Sequence, residues 1–149
     1  MTMKDRVEKA VELFKSGYNC SQSVVAAFAD MYGFTQEQAL RMSASFGGGI
    51  GRMRQTCGAA CGMFLLAGLE KGAVDGKDRE GKAANYALAE EFRKRNGSMI
   101  CAELLGLKKP EGSSTPEART EQYYAKRPCA KMVEEAAAIW AEYLEKQRK

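Results

Sequence analysis

Histidine is missing altogether from this 149-residue sequence. Its absence excludes a Ser–His–Asp triad, a Cys–His dyad and a Cys₂His₂ zinc site, each of which needs an imidazole as base or ligand. Strand formers are sparse, which argues against a sheet. No apolar run approaches the roughly 20 residues that a membrane span requires. The opening Met1–Asp5 leads straight into an amphipathic segment without the apolar core of a signal peptide, so the expected compartment is the cytoplasm. A strong charge of one sign is lacking too: 23 Lys and Arg stand against 19 Asp and Glu, a net +4. The charges are scattered, with short clusters such as Arg93-Lys94-Arg95. That pattern describes a solvated surface and gives no nucleic-acid partner.

Helix formers dominate what is present, which predicts an all-α fold. The length suits one domain, residues 1–149, able to bury about two-thirds of its unfolded surface without a covalent staple. Hydrophobic periodicity and caps predict a bundle of six to seven helices. The first covers Thr2–Lys15, with Val7, Ala10, Val11 and Phe14 on one stripe. The second runs from the cap Asn19 to Tyr32, with Val24, Ala27, Phe28 and Met31 inward. Thr35 and Gln38 form a capping box for a third, ending at Ser45. A fourth, mostly apolar and therefore central, covers Cys57–Lys71. A fifth covers Asp78–Arg95, with Ala84, Ala87, Leu88 and Phe92 on one face. Ser98 opens a short turn through Leu105, and Leu107–Arg127 reads as a loop with a helical turn after Pro116. Pro128 begins the last helix, to Gln147, on the stripe Val133, Ala136, Ala137, Trp140 and Leu144.

Five cysteines stand out against this background. A reducing cytoplasm makes a structural disulfide framework of them improbable, leaving metal ligation, redox exchange or plain burial. Four share one local setting. Cys20 follows the cap Asn19, Cys57 opens the fourth helix, Cys101 falls in the first turn after Ser98, and Cys129 follows Pro128. Helix N-termini carry unpaired N–H groups and partial positive charge, both of which favour thiolate over thiol. Each of the four is also in phase with its helix's apolar stripe, as Cys20 is with Val24 and Cys129 with Val133. All four should face inward and could meet. Cys61 shares the face of Cys57 and reads best as packing. The spacings of 37, 44 and 28 residues are not those of a zinc ribbon or a ferredoxin, whose ligands come in close pairs.

Four glycines fall within five residues at Gly47-Gly48-Gly49-Ile50-Gly51, followed by Arg52. Such a stretch is a loop that bends sharply or lies very close to something. It reads either as a backbone nest for a cofactor, with Gly47, Gly48, Gly49, Gly51 and Arg52 or Arg54 at the ligand, or as tight packing between helices.

The segment Cys57-Gly58-Ala59-Ala60-Cys61-Gly62 resembles the Cys-Gly-Ala-x-x-Gly motif of the redox-active C_GCAxxG_C_C family. Gly17–Ser21, the Phe46–Arg52 loop and the later single cysteines match it in order and spacing, so the resemblance covers about residues 5–144. It implies four characteristic cysteines, Cys20, Cys57, Cys101 and Cys129, and a redox role. A related region occurs in a cytochrome that carries an iron–sulfur cluster, which implies a [2Fe–2S]-type cluster as one occupant. The chain lacks Cys-x-x-Cys-His, so covalent haem is not implied.

Three functions follow as expectations. The first is an electron-transfer module whose metal ligands Cys20, Cys57, Cys101 and Cys129 hold an iron–sulfur cluster or another thiolate-bound metal, serving a redox partner protein. The second is a thiol–disulfide oxidoreductase or redox sensor in which Cys57 attacks and Cys20, Cys101 or Cys129 resolves. The third is a structural homodimer with buried cysteines and no cofactor.

Overall fold

The computed structural model describes residues 1–72, 74–77, 79–106 and 128–147, apart from the side chains of 81, 84 and 85. The expected loop and helical turn over Leu107–Arg127, the expected helix start at Asp78 and the side chain of Ala84 lie outside the described residues. Among the described residues are seven α-helices and no strand. They are α1 Met3–Lys15, α2 Cys20–Phe28, α3 Gln36–Ser43, α4 Gly58–Lys71, α5 Arg79–Asn96, α6 Cys101–Leu105 and α7 Cys129–Gln147. None of them is long and apolar enough to cross a membrane.

Reciprocal capping boxes begin three of the helices: Thr2 with Asp5, Asn19 with Gln22 and Thr35 with Gln38. In each, the cap side chain accepts a backbone N–H that would otherwise be orphaned, and the third residue on returns the favour. The helix ends differ from the sequence expectation. The second helix stays α only to Phe28 and tightens into a 3₁₀ turn over Ala29–Tyr32. The third ends at Ser43, and a 3₁₀ turn covers Ala44–Phe46. The short helix starts at Cys101, not Ser98, whose hydroxyl instead accepts the Ile100 N–H at 2.9 Å. Arg6 is buried. Its guanidinium caps the end of α2 through the Ala27 carbonyl (3.0 Å) and forms a two-pronged pair with Asp30 at 2.6 and 3.1 Å.

At the centre is α2, which packs on α1, α3, α4 and α7 and is buried on almost every side. It shares that position with α4, the helix the sequence marks as central. The two approach closely because α4 turns Gly58 and Gly62 toward α2. A methyl group on Gly62 would stand 3.0 Å from the Ser21 carbonyl oxygen and from Cβ of Val24. The motif's two glycines, four apart and so on one helix face, form the flat strip on which α2 lies. Every member of the α7 stripe is buried, with Trp140 fully enclosed and stacked on Tyr143 at 5.2 Å. On α5, among the described residues of the predicted face, Leu88 and Phe92 reach the core, while Ala87 is exposed.

Candidate functional site: four thiols around one cavity

Cys20 is the first residue of α2, Cys57 the N-cap of α4, Cys101 the first residue of α6 and Cys129 the first of α7. Four helix starts from distant parts of the chain therefore converge. The four thiols line one cavity of about 60 Å³, closed in by Asn19, Gly48, Gly49, Arg54, Leu104 and Met132. Cys57 and Cys101 are buried, and Cys20 and Cys129 are half-buried. Cys61 does not line the cavity. It is buried on α4 with its thiol turned to the Thr56 carbonyl at 3.9 Å, which fits packing.

Two kinds of link tie the four cavity cysteines together. The Cys20 thiol hydrogen-bonds to Cys129. Cys57 and Cys101 flank an isolated antiparallel bridge between Thr56 and Ile100. The Cys57 N–H donates to the Met99 carbonyl at 2.6 Å and the Cys101 N–H to the Gln55 carbonyl at 2.5 Å. Two segments more than forty residues apart are thus joined by main-chain bonds at the site.

The glycine loop is the cavity's lid, and its backbone is left-handed. Gly48, Gly49, Ile50, Gly51 and Arg52 have φ between 61° and 76°, and Arg54 has φ 60°. Their N–H groups bond back along the turn, Arg52 to Gly47, Arg54 to Gly48 and Gln55 to Gly49. A non-glycine residue in this region is strained by about 1–2 kcal/mol, and a β-branched one such as Ile50 is a clear outlier. The tight geometry has a visible cause. A methyl group on Gly49 would lie 2.6 Å from Cβ of Cys101, and one on Gly58 would lie 3.3 Å from Cβ of Cys20.

Of the predicted cofactor-binding residues, Gly48 and Gly49 line the cavity, whereas Gly47, Gly51 and Arg52 do not. Gly47 lies against the Asn19 side chain, and Gly51 is exposed. The basic residue at the site is Arg54, buried and donating from Nη1 to the Cys101 sulfur at 3.7 Å. The alternation of outward Met53 and inward Arg54 comes from the left-handed turn, which no periodicity rule for α or β backbone anticipates. Asn19 was expected only as a cap. It also donates from Nδ2 to the Ala44 carbonyl at 2.8 Å, tying α2 to the turn before the loop.

At Cys57 and Cys20 the thiol is raised, against the lowering expected at a helix start. Burial pushes Cys57 up to about 12, and the N–H groups of Ala60 and Ala59, which face its sulfur without closing a full cap bond, only partly offset it. The bond to Cys129, then burial, hold Cys20 protonated well above the usual thiol range. Desolvation disfavours a charge more than one helix turn can compensate.

A family profile described as "Putative redox-active protein (C_GCAxxG_C_C)" matches residues 18–143, which include all five cysteines. The chain belongs to this family. No curated protein and no solved structure matches it. The C_GCAxxG_C_C motif now has a geometric meaning. The cysteine of its Cys-Gly-Ala-x-x-Gly segment is Cys57, the two glycines of that segment seat α4 against α2, and that seating brings the motif's first cysteine, Cys20, to the same cavity.

Proposed function

We propose that this member of the redox-active family is a cytoplasmic electron carrier that holds an iron–sulfur cluster, or another thiolate-bound metal, on Cys20, Cys57, Cys101 and Cys129. The observation that carries the reading is the convergence of four thiols from four helix starts on one enclosed cavity. The donor set fits: four sulfurs and no imidazole select soft, thiolate-loving metals. One tetrahedral ion draws its four sulfurs to about 2.3 Å from a common point. Among the described residues no group of three or more His, Cys, Asp or Glu side chains is arranged to hold one ion. Four sulfurs lining one cavity are the number of donors that an iron–sulfur cluster takes.

When bound, such a cluster takes up and releases single electrons. The chain's own residues bury Cys57 and Cys101 and supply N–H groups toward Cys57, which raises the potential. The test is purification without oxygen, followed by an absorption spectrum and analysis for iron and sulfide. The expected result is a coloured protein holding both. Colourless protein with every thiol free and no metal would overturn the reading.

The contact between Cys20 and Cys129 favours a second reading, a dithiol that closes to a disulfide. The two thiols would give two electrons and two protons to an oxidised disulfide partner as the S–S bond forms. Peptide mapping after treatment with oxidised glutathione decides it. A Cys20–Cys129 link supports this reading, and its absence rules it out.

A further inference from the structure

Arg54 is the one cation among the described residues that line the cysteine cavity. It is 7% exposed, and its Nη1 reaches the Cys101 sulfur at 3.7 Å. Its backbone is held from both sides: its N–H donates to Gly48 at 3.0 Å and its carbonyl accepts from Ala102 at 3.1 Å. A left-handed φ of 60° turns the side chain inward from this anchored position. The guanidinium keeps its charge at any pH the fold survives. A fixed cation in the wall of a small cavity matches contents that are negative, and four thiolates around a cluster are negative in sum.

We infer that Arg54 is a positioning residue that holds the Cys101 sulfur and fits the cavity to a thiolate-bound occupant of net negative charge, favouring its one-electron-reduced form; this rests on the cluster reading above. Reduction adds one electron from an outside reductant without making or breaking a bond. The added negative charge then lies beside the guanidinium.

The test uses full-length protein loaded without oxygen with ferrous iron and sulfide. Arg54→Gly removes the side chain and suits the left-handed backbone, Arg54→Lys keeps the charge, and Arg54→Met replaces the glycine variant if circular dichroism shows lost helix. Poised with dithionite and mediators, Arg54→Gly should hold the same iron but show an about tenfold lower ratio of reduced to oxidised cluster, ~59 mV for one electron. Arg54→Lys should retain most of the wild-type ratio. A second readout needs no cluster: the ratio of Cys101 modification by anionic iodoacetate to that by neutral iodoacetamide, followed by mass spectrometry. The guanidinium attracts the anion, so the ratio should fall severalfold in Arg54→Gly and persist in Arg54→Lys. Unchanged values of both ratios in Arg54→Gly would overturn the role of Arg54. If wild-type protein takes up neither iron nor sulfide, the cluster reading falls, and the reagent ratio alone then decides for or against Arg54.

Discussion

At Cys57 two effects oppose each other, and their sizes decide the chemistry. Two N–H groups at the head of α4 favour the thiolate, yet burial leaves the thiol near 12. In the reduced, metal-free protein Cys57 should therefore react with iodoacetamide at pH 8 at least about a hundredfold more slowly than glutathione, since only the thiolate attacks. Its rate should keep climbing with pH toward 12 instead of levelling near 9, the ordinary value. A fast-reacting Cys57 at neutral pH would refute this. Gly49 offers a second check at the same scale. Gly49→Ala adds both a left-handed penalty and a collision with Cys101, and should destabilise by about 2–4 kcal/mol in urea unfolding. Gly51→Ala meets nothing within 4 Å and should lose only about 1 kcal/mol. The sequence showed which cysteines sit at helix starts because caps and stripes are local signals. It did not show their pKa values or the inward turn of Arg54, because desolvation and a left-handed lid are products of tertiary packing.

Among the elements, Asn19 joins more than it caps. Its side chain accepts the Gln22 N–H at 2.9 Å, donates to the Ala44 carbonyl and packs against Gly47. Asn19→Ala should thus cost about 2 kcal/mol and reduce metal or cluster uptake, because it loosens Cys20 and the glycine lid together. Thr35→Ala, which removes an exposed cap remote from the cavity lining, should cost about 1 kcal/mol and leave uptake unchanged. Equal effects of the two on uptake would contradict the linking role. The helices themselves were legible from stripes and capping boxes, and the α7 stripe was right at every position. Their ends were less so. The 3₁₀ turns after α2 and α3 have no sequence signature of their own, and Arg6 stops α2 from across the fold.

For the whole molecule, the important fact is that the four thiols of the cavity come from four helix starts. An occupant of the cavity binds the folded chain far better than the unfolded one, so it adds stability by mass action. Loading with iron and sulfide should raise the unfolding temperature by at least about 5 °C, and stripping the metal with a chelator should return it. Trp140, enclosed in α7, gives the fluorescence signal for that measurement. An unchanged midpoint in loaded protein would mean that the cavity does not bridge the helices.

The same dispersal sets a timetable for biosynthesis. Cys20 is made early, and Cys129, on the helix that shuts the cavity, is made 109 residues later. At roughly 5–20 residues per second the ribosome needs on the order of 5–20 s to cover that interval. During it the early thiols have no complete cavity around them, so any occupant of the four-thiol cavity enters after translation. A nascent chain stalled before Cys129 would offer the cell four thiols, those of Cys20, Cys57, Cys61 and Cys101, and no cavity.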